Sequence, residues 1–170
     1  MKNSRVSASI KEVRGGKTQQ ELSMELNVSR ESVSKIENGR SKVAPDISRK
    51  LMEMGDNARL AFALRHEYTG TGPLWLDGPN VDLHRSSVKE KTIEESEEFL
   101  IALKELSFSK PLKNLSHWEM PQLLKVLEEG AEAITAIEHL LVVICEEANI
   151  SYTGIWHDHY IQLKAKEFIQ

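Results

Sequence analysis

Residues 18–40, TQQELSMELNVSRESVSKIENGR, constrain the fold of this chain more than any other segment. Thr18 is a good N-cap, and Glu21 three positions later completes a capping box, so we expect a helix to begin here. Asn27 tolerates the left-handed conformation that ends a helix. Ser29 is suited to cap a second helix. The segment therefore predicts two short helices joined by a tight turn.

Apolar and polar residues separate cleanly on these two predicted helices. The inward positions are Leu22, Leu26, Val28, Val33 and Ile36. The second helix keeps a polar outer face, and Asn38-Gly39 closes it with a C-cap signal. Such a rigid angle with a polar, capped helix end suits the DNA major groove. An ordinary helical hairpin with no nucleic-acid role is the alternative that periodicity alone leaves open.

From Ile10 to Pro45 the sequence resembles the Xre family, the Cro/CI-like repressor DNA-binding domains. The matching strings are Thr-Gln-x-Glu-Leu at 18–22, Val-Ser-Arg at 28–30 and Lys-Ile-Glu-Asn-Gly-Arg at 35–40. The resemblance covers residues 6–66, roughly the first third of the chain. It implies a domain of four or five helices that binds double-stranded DNA. Residues 52–58 depart from the family by interrupting the region where a regular fifth helix is common.

The resemblance also implies roles for individual side chains. Four outward residues of the second helix would read base edges: Arg30, Glu31, Ser32 and Lys35. A second set would contact the DNA backbone: Gln19, Ser29, Asn38, Arg40 and Lys42. For Ser29, helix capping is a stronger interpretation than a DNA contact. Glu31 could form an ion pair with Lys35 one turn away instead of contacting a base.

Charge is distributed unevenly and favours the same end of the chain. Residues 1–50 carry eleven Lys and Arg against six Asp and Glu, whereas residues 51–170 carry eleven against twenty. A basic head on an acidic body concentrates affinity for a polyanion at one end.

A Gly/Pro-rich segment divides the chain. Residues 70–80 hold three glycines and two prolines, which a helix interior does not tolerate. We therefore predict an all-α protein with a DNA-binding domain at 1–68, a linker at 69–82 and a helical C-terminal domain at 83–170. In the C-terminal domain we predict that Thr92 caps a helix and that Pro121 lies in the first turn of a second helix, which runs to about Asn149. We predict a final helix over about 153–168.

The long helix predicted from Pro121 carries a broad apolar stripe. Its residues include Leu127, Ile134, Ile137, Leu141 and Ile144, at alternating helical steps. Such a stripe must be buried, either in a homodimer interface or in the helical core of the same chain. A dimer would read two half-sites of an inverted repeat.

The sequence offers no catalytic constellation, so we expect neither an enzyme nor a cofactor or metal. His66-Glu67 begins like a zinc-protease motif, but Gly70 stands where the second ligand should be. His157 and His159 do not share a helix face as ligands. The single Cys145 and the absence of a long apolar run favour a cytoplasmic protein of a bacterial or phage-infected cell without a membrane segment.

These features together predict a sequence-specific transcription regulator, of the phage or prophage repressor type. The alternative is an antitoxin-like interaction protein whose C-terminal helices hold a protein partner.

Overall fold

Helices account for all the regular structure in the computed structural model, which describes residues 4–170. The α-helices are α1 Arg5–Arg14, α2 Gln19–Leu26, α3 Arg30–Glu37, α4 Pro45–Gly55, α5 Ala58–Thr69, α6 Arg85–Glu105, α7 Met120–Ala148 and α8 Tyr152–Ala165. The all-α prediction is confirmed for this part of the chain. Residues 1–3 of the predicted first domain lie outside the described residues.

The chain divides into two compact units. One comprises residues 1–71 together with 149–170, and the other comprises residues 72–148. The boundary near residue 71 falls inside the predicted linker. Residues 149–170 group with the first unit. There the Thr153 amide, in the first turn of α8, donates to Asp56 Oδ1 at 2.8 Å.

The first unit is built on a core that all of its first five helices share. The buried cluster consists of Val6, Ile10, Leu22, Leu26, Val33, Ile36, Val43, Ile47, Leu51, Leu60, Ala63 and Leu64. The apolar positions predicted in residues 18–40 are thus core residues, with Val28 packed at the edge of the cluster.

The predicted interruption after residue 52 is a sharp break between α4 and α5. Asp56 adopts a left-handed conformation with φ 42°, and Asn57 caps α5 by accepting from the Leu60 amide at 2.8 Å. Gly55 ends α4 against α1, where a Cβ atom would lie 2.8 Å from both Val13 methyl carbons. The glycine therefore allows the two helices to approach closely.

The second unit is a hairpin of two long antiparallel helices. Arg85 at the start of α6 pairs with Glu147 near the end of α7, while Gln122 at the start of α7 donates to the Glu105 carbonyl. Ala102, Leu106 and Val126 are buried between them. The predicted loop after α6 contains a short 3-10 turn at Leu112–Asn114.

The predicted cap at Thr92 is wrong. His84 caps α6, which begins a full two turns earlier, and Thr92 is buried inside the helix. Its hydroxyl donates to the Val88 carbonyl at 2.8 Å, so the hydrogen-bonding requirement of the hydroxyl is met within the same helix. A threonine followed by acidic residues signals a helix start only when the preceding residues cannot be helical.

The segment before α6 packs against α7 through His139. The Trp75 ring stacks on the imidazole with centroids 5.0 Å apart. The Leu76 amide donates to His139 Nε2 at 3.1 Å, and His139 Nδ1 donates to the Thr135 carbonyl at 2.7 Å. Burial lowers the pKa of His139, in keeping with a neutral ring that donates at one nitrogen and accepts at the other.

Candidate nucleic-acid interface

Two helix caps fix the orientation of α2 and α3. Thr18 Oγ1 accepts from the Glu21 amide at 3.2 Å, and Glu21 Oε2 accepts from the Thr18 amide at 2.6 Å. Hydrogen bonds from the Thr18 backbone and hydroxyl lower the pKa of Glu21. Ser29 Oγ accepts from the Ser32 amide at 3.1 Å, so the capping role predicted for Ser29 is present. Both caps use local chemistry that the sequence displays.

The turn between the two helices is tight because Asn27 takes the left-handed conformation, with φ 58° and ψ 48°. Its amide and that of Val28 both bond back to the last turn of α2. Lys50 of α4 adds a bond from its ammonium to the Leu26 carbonyl at 3.2 Å. The start of α3 is therefore held at a fixed angle to α2.

The outer face of α3 offers charged side chains to solvent. Arg30, Glu31 and Lys35 are exposed, and Ser32 is half-buried beside the Ser29 cap. Glu31 makes no ion pair with Lys35, and none of the ion pairs within residues 4–170 involves Arg30 or Lys35. These cations are consequently available to an external anion or to base edges.

Glu37, at the end of α3, ties three helices together. The carboxylate is only 1% exposed and accepts from Arg14 Nε of α1 at 2.6 Å and from Gln19 Nε2 of α2 at 2.7 Å. Arg14 also donates to the Lys17 carbonyl. Sequence reasoning identified this glutamate only as part of a matching string. The structure shows that it holds α3 against α1 and α2.

Gln19, predicted to contact a phosphate, is oriented by this network. Its side-chain amide has two hydrogens, and the bond to Glu37 uses one of them. The other hydrogen remains, at the N-terminus of α2 where helix amides favour an anion.

The segment after α3 differs in one respect from its expected role. The amides of Asn38, Gly39 and Arg40 all bond back to carbonyls of α3, and Asn38 Nδ2 donates to the Ser34 carbonyl at 2.7 Å. These amides are therefore occupied within the chain. The Arg40 and Lys42 side chains are exposed and are the groups left to meet a phosphate.

Residues 10–54 match the family described as helix-turn-helix. The match confirms the predicted resemblance of this segment to Xre-type helix-turn-helix domains. No curated protein and no solved structure matches the chain at a significant level. The presence of this domain supports the function of a DNA-binding transcription regulator. Within residues 4–170, no helix combines the length and hydrophobicity that crossing a membrane requires.

The apolar stripe predicted on the long helix lies largely outside the hairpin. On α7, Leu127, Ile134, Ile137 and Ile144 are between 42% and 61% exposed, and Leu141 is half-buried. Residues beside the stripe are buried in the second unit, including Val126, Ala133 and Val143, each of which directly precedes an exposed stripe residue.

Sequence reasoning missed one chemical feature of the second unit. Glu95, Glu98, Glu129 and Glu132 gather their carboxylates between α6 and α7. The signal in the sequence was a Glu-x-x-Glu spacing, which occurs at 94–97 and 95–98 in α6 and at 129–132 in α7.

Proposed function

We propose that this protein is a sequence-specific, dimeric transcription repressor of the phage or prophage type, acting in the cytoplasm by binding rather than by catalysis. The observation that carries the proposal is the pair Arg30 and Lys35 on a capped helix of the helix-turn-helix segment. Both are exposed, and neither forms an ion pair with any residue of 4–170.

Each outward side chain of α3 has a chemical role in this proposal. Arg30 and Lys35 donate to guanine O6 and N7, Glu31 accepts from cytosine N4, and Ser32 serves either base edge. The backbone set of Gln19, Ser29, Asn38, Arg40 and Lys42 fixes the register on the phosphates. The intramolecular bonds of Ser29 and Asn38 favour Gln19, Arg40 and Lys42 within that set.

The proposed dimer forms through the exposed stripe of α7. Its residues repeat at steps of three and four, the spacing of a two-helix seam, and a second copy offers the same surface for burial. The hairpin core takes in Val126 beside the stripe but leaves most stripe residues exposed, which supports their burial against a second copy.

Selection of bound fragments from random duplex DNA tests the reading function. We expect an enriched inverted repeat with half-site centres about one helical turn apart. Arg30→Ala is expected to lose about 1–3 kcal/mol at that site and to relax one position. Arg40→Ala, the matched control for a phosphate contact, is expected to weaken binding to all DNA sequences alike. If the two variants behaved identically on every sequence, the division into residues that read base edges and residues that contact the DNA backbone would be contradicted.

Sedimentation velocity tests the dimer. Ile134→Glu places a charge in the centre of the α7 stripe and is expected to give monomers. Ile161→Glu, on the exposed face of α8, is the matched control and keeps the wild-type oligomeric state. A monomeric wild-type protein would refute the interface.

An antitoxin-like partner-binding function is the second candidate. The exposed apolar side chains of residues 160–168, among them Ile161 at 54% and Phe168 at 72%, favour it. A stoichiometric protein that co-purifies with the chain and is lost in Ile161→Glu would bring this function to the front.

A further inference from the structure

Four glutamates meet on the facing sides of α6 and α7. Glu95 and Glu98 lie one turn apart on α6, and Glu129 and Glu132 lie one turn apart on α7. One carboxylate oxygen from each lies within 4.8 Å of the others. Antiparallel packing, and not nearness in the chain, brings the two pairs together.

A glycine helps the two helices to approach at this level. Gly130 follows directly after Glu129 on α7, and a Cβ atom there would lie 3.2 Å from Cε2 of the Phe99 ring on α6. The ring therefore rests against the α7 backbone. Within the cluster, Glu95 is buried and Glu129 half-buried in the hairpin, while Glu98 and Glu132 are exposed at its edge.

The cluster contains carboxylate oxygens whose hydrogen-bonding needs are unmet. Glu95 is 7% exposed, and its Oε1 pairs with Lys91 Nζ at 2.7 Å. Glu95 Oε2 and Glu129 Oε2 are buried and accept no hydrogen bond from the described part of the chain. Since a buried charged oxygen without a partner is costly, both oxygens point to a cation that the chain itself does not supply.

Charge repulsion within the cluster adds to this cost. One carboxylate oxygen of each glutamate lies within 4.8 Å of the others, so their negative charges repel one another. Lys91 also pairs with Glu94 outside the cluster, so its single charge is shared. A doubly charged ion would offset more of the repulsion than one shared ammonium does.

We propose that Glu95, Glu98, Glu129 and Glu132 bind a hard divalent cation of the Mg²⁺ or Mn²⁺ type. The ligand set contains only carboxylate oxygens, which these ions prefer, and lacks the His and Cys ligands that zinc favours. The residues are held on two helices packed against each other, which gives the site a fixed frame.

A cavity adjoins the cluster and indicates which kind of ligand would bind through the cation. It has a volume of about 520 Å³, within the range of small-molecule sites, and Glu95 and Glu132 form part of its wall together with Lys91 and His139. Mg²⁺ is commonly held by a few carboxylates and completes its coordination with phosphate oxygens. The cavity therefore fits a small phosphorylated molecule bound through the cation, an effector beyond the DNA-reading function.

Cation binding is tested on the full chain after treatment with EDTA. Mn²⁺ is titrated by calorimetry and by the loss of its free electron paramagnetic resonance signal. We expect saturable binding that Glu95→Gln and Glu129→Gln each weaken by more than about tenfold, the lower end of what loss of a supporting group costs. Glu97→Gln, on the same helix but outside the cluster, is the matched control and keeps wild-type affinity.

Equal Mn²⁺ affinity of the wild type and the two cluster variants would overturn the cation site, as would no binding at all. Far-UV circular dichroism in EDTA shows that the variants are folded. We expect them to be, because each substitution removes one of the repelling charges.

The cavity is tested with inorganic pyrophosphate as the probe. Pyrophosphate in Mg²⁺ buffer is titrated into protein in the same buffer, and the titration is repeated with EDTA. We expect binding only with Mg²⁺, lost in Glu95→Gln. Cation binding without pyrophosphate binding would overturn the assignment of the cavity, and binding in EDTA would overturn the role of the cation. Neither arm involves DNA, so each outcome is independent of the helix-turn-helix domain.

Discussion

Replacing the buried carboxylate of Glu37 tests how α3 is held against α1 and α2. Glu37→Gln keeps the size of the side chain but removes its charge, so Arg14 Nε and Gln19 Nε2 face a neutral amide. That amide accepts one of the two bonds well and presents its own donor to the other. We expect the helix-turn-helix domain to lose stability and α3 to be held less firmly.

The magnitude follows from the two bonds and from exposure. A hydrogen bond to a charged group contributes about 1.5–3 kcal/mol, and breaking a buried ion pair on one side costs about 3–5 kcal/mol. Arg14 is 23% exposed and regains some hydration once its partner is lost. We therefore expect a loss of about 2–3 kcal/mol, below the range for a fully buried pair.

Native-state hydrogen exchange is the suitable assay, because the slowest amides of α2 and α3 report opening of this domain separately from the α6–α7 hairpin. Glu25→Gln is the matched control: it makes the same substitution in α2, where Glu25 pairs with Lys17 but is 40% exposed. We expect it to cost less than about 1 kcal/mol. A double-mutant cycle of Glu37→Gln with Arg14→Gln should give a coupling of about 1–2 kcal/mol. Equal losses for the two glutamates, or no coupling to Arg14, would refute the reasoning.

Three further predictions follow from single contacts. Gly55→Ala should destabilise the domain by about 1–3 kcal/mol, because its methyl group would collide with Val13; an unchanged thermal midpoint would contradict the close approach. Thr18→Ala should cost about 1 kcal/mol by removing the cap of α2, and a loss of helix signal on urea titration measures it. The pKa of His139 in the folded protein lies below its ordinary value of 6.5. The contribution of this histidine to folding stability is therefore fully present above pH 6.5. It is lost as the pH falls below 6.5, because the unfolded chain then takes up the proton more readily. We expect the Trp75 indole resonance to shift and broaden in that acidic range, and a spectrum unchanged to pH 5 would argue against the imidazole contact.

Local signals in the sequence were sufficient to place α2, α3, α7 and α8. The capping residues Thr18 and Ser29 and the left-handed Asn27 act within three or four positions of themselves, so their effect can be predicted without the fold. The same locality explains the failure at Thr92, where a correct local pattern lay inside a helix that His84 had already started.

The interface was predictable only in outline. Exposure of Arg30 and Lys35 followed from helical periodicity, and their roles as base readers remain predictions. That the amides of residues 38–40 are used within the chain could not be predicted, because it depends on how the last turn of α3 closes.

The sequence by itself determined that the protein is helical and that residues 18–40 form a helix-turn-helix with caps at Thr18 and Ser29. These properties depend on backbone sterics and on hydrogen bonds between near neighbours. Only the tertiary structure decided the neighbours of Glu37, which bonds to residues 18 and 23 positions away. It also decided the meeting of Glu95 with Glu132 across the hairpin. Such contacts depend on which helix faces pack together and at what register, and the free energy of that choice is spread over the whole core.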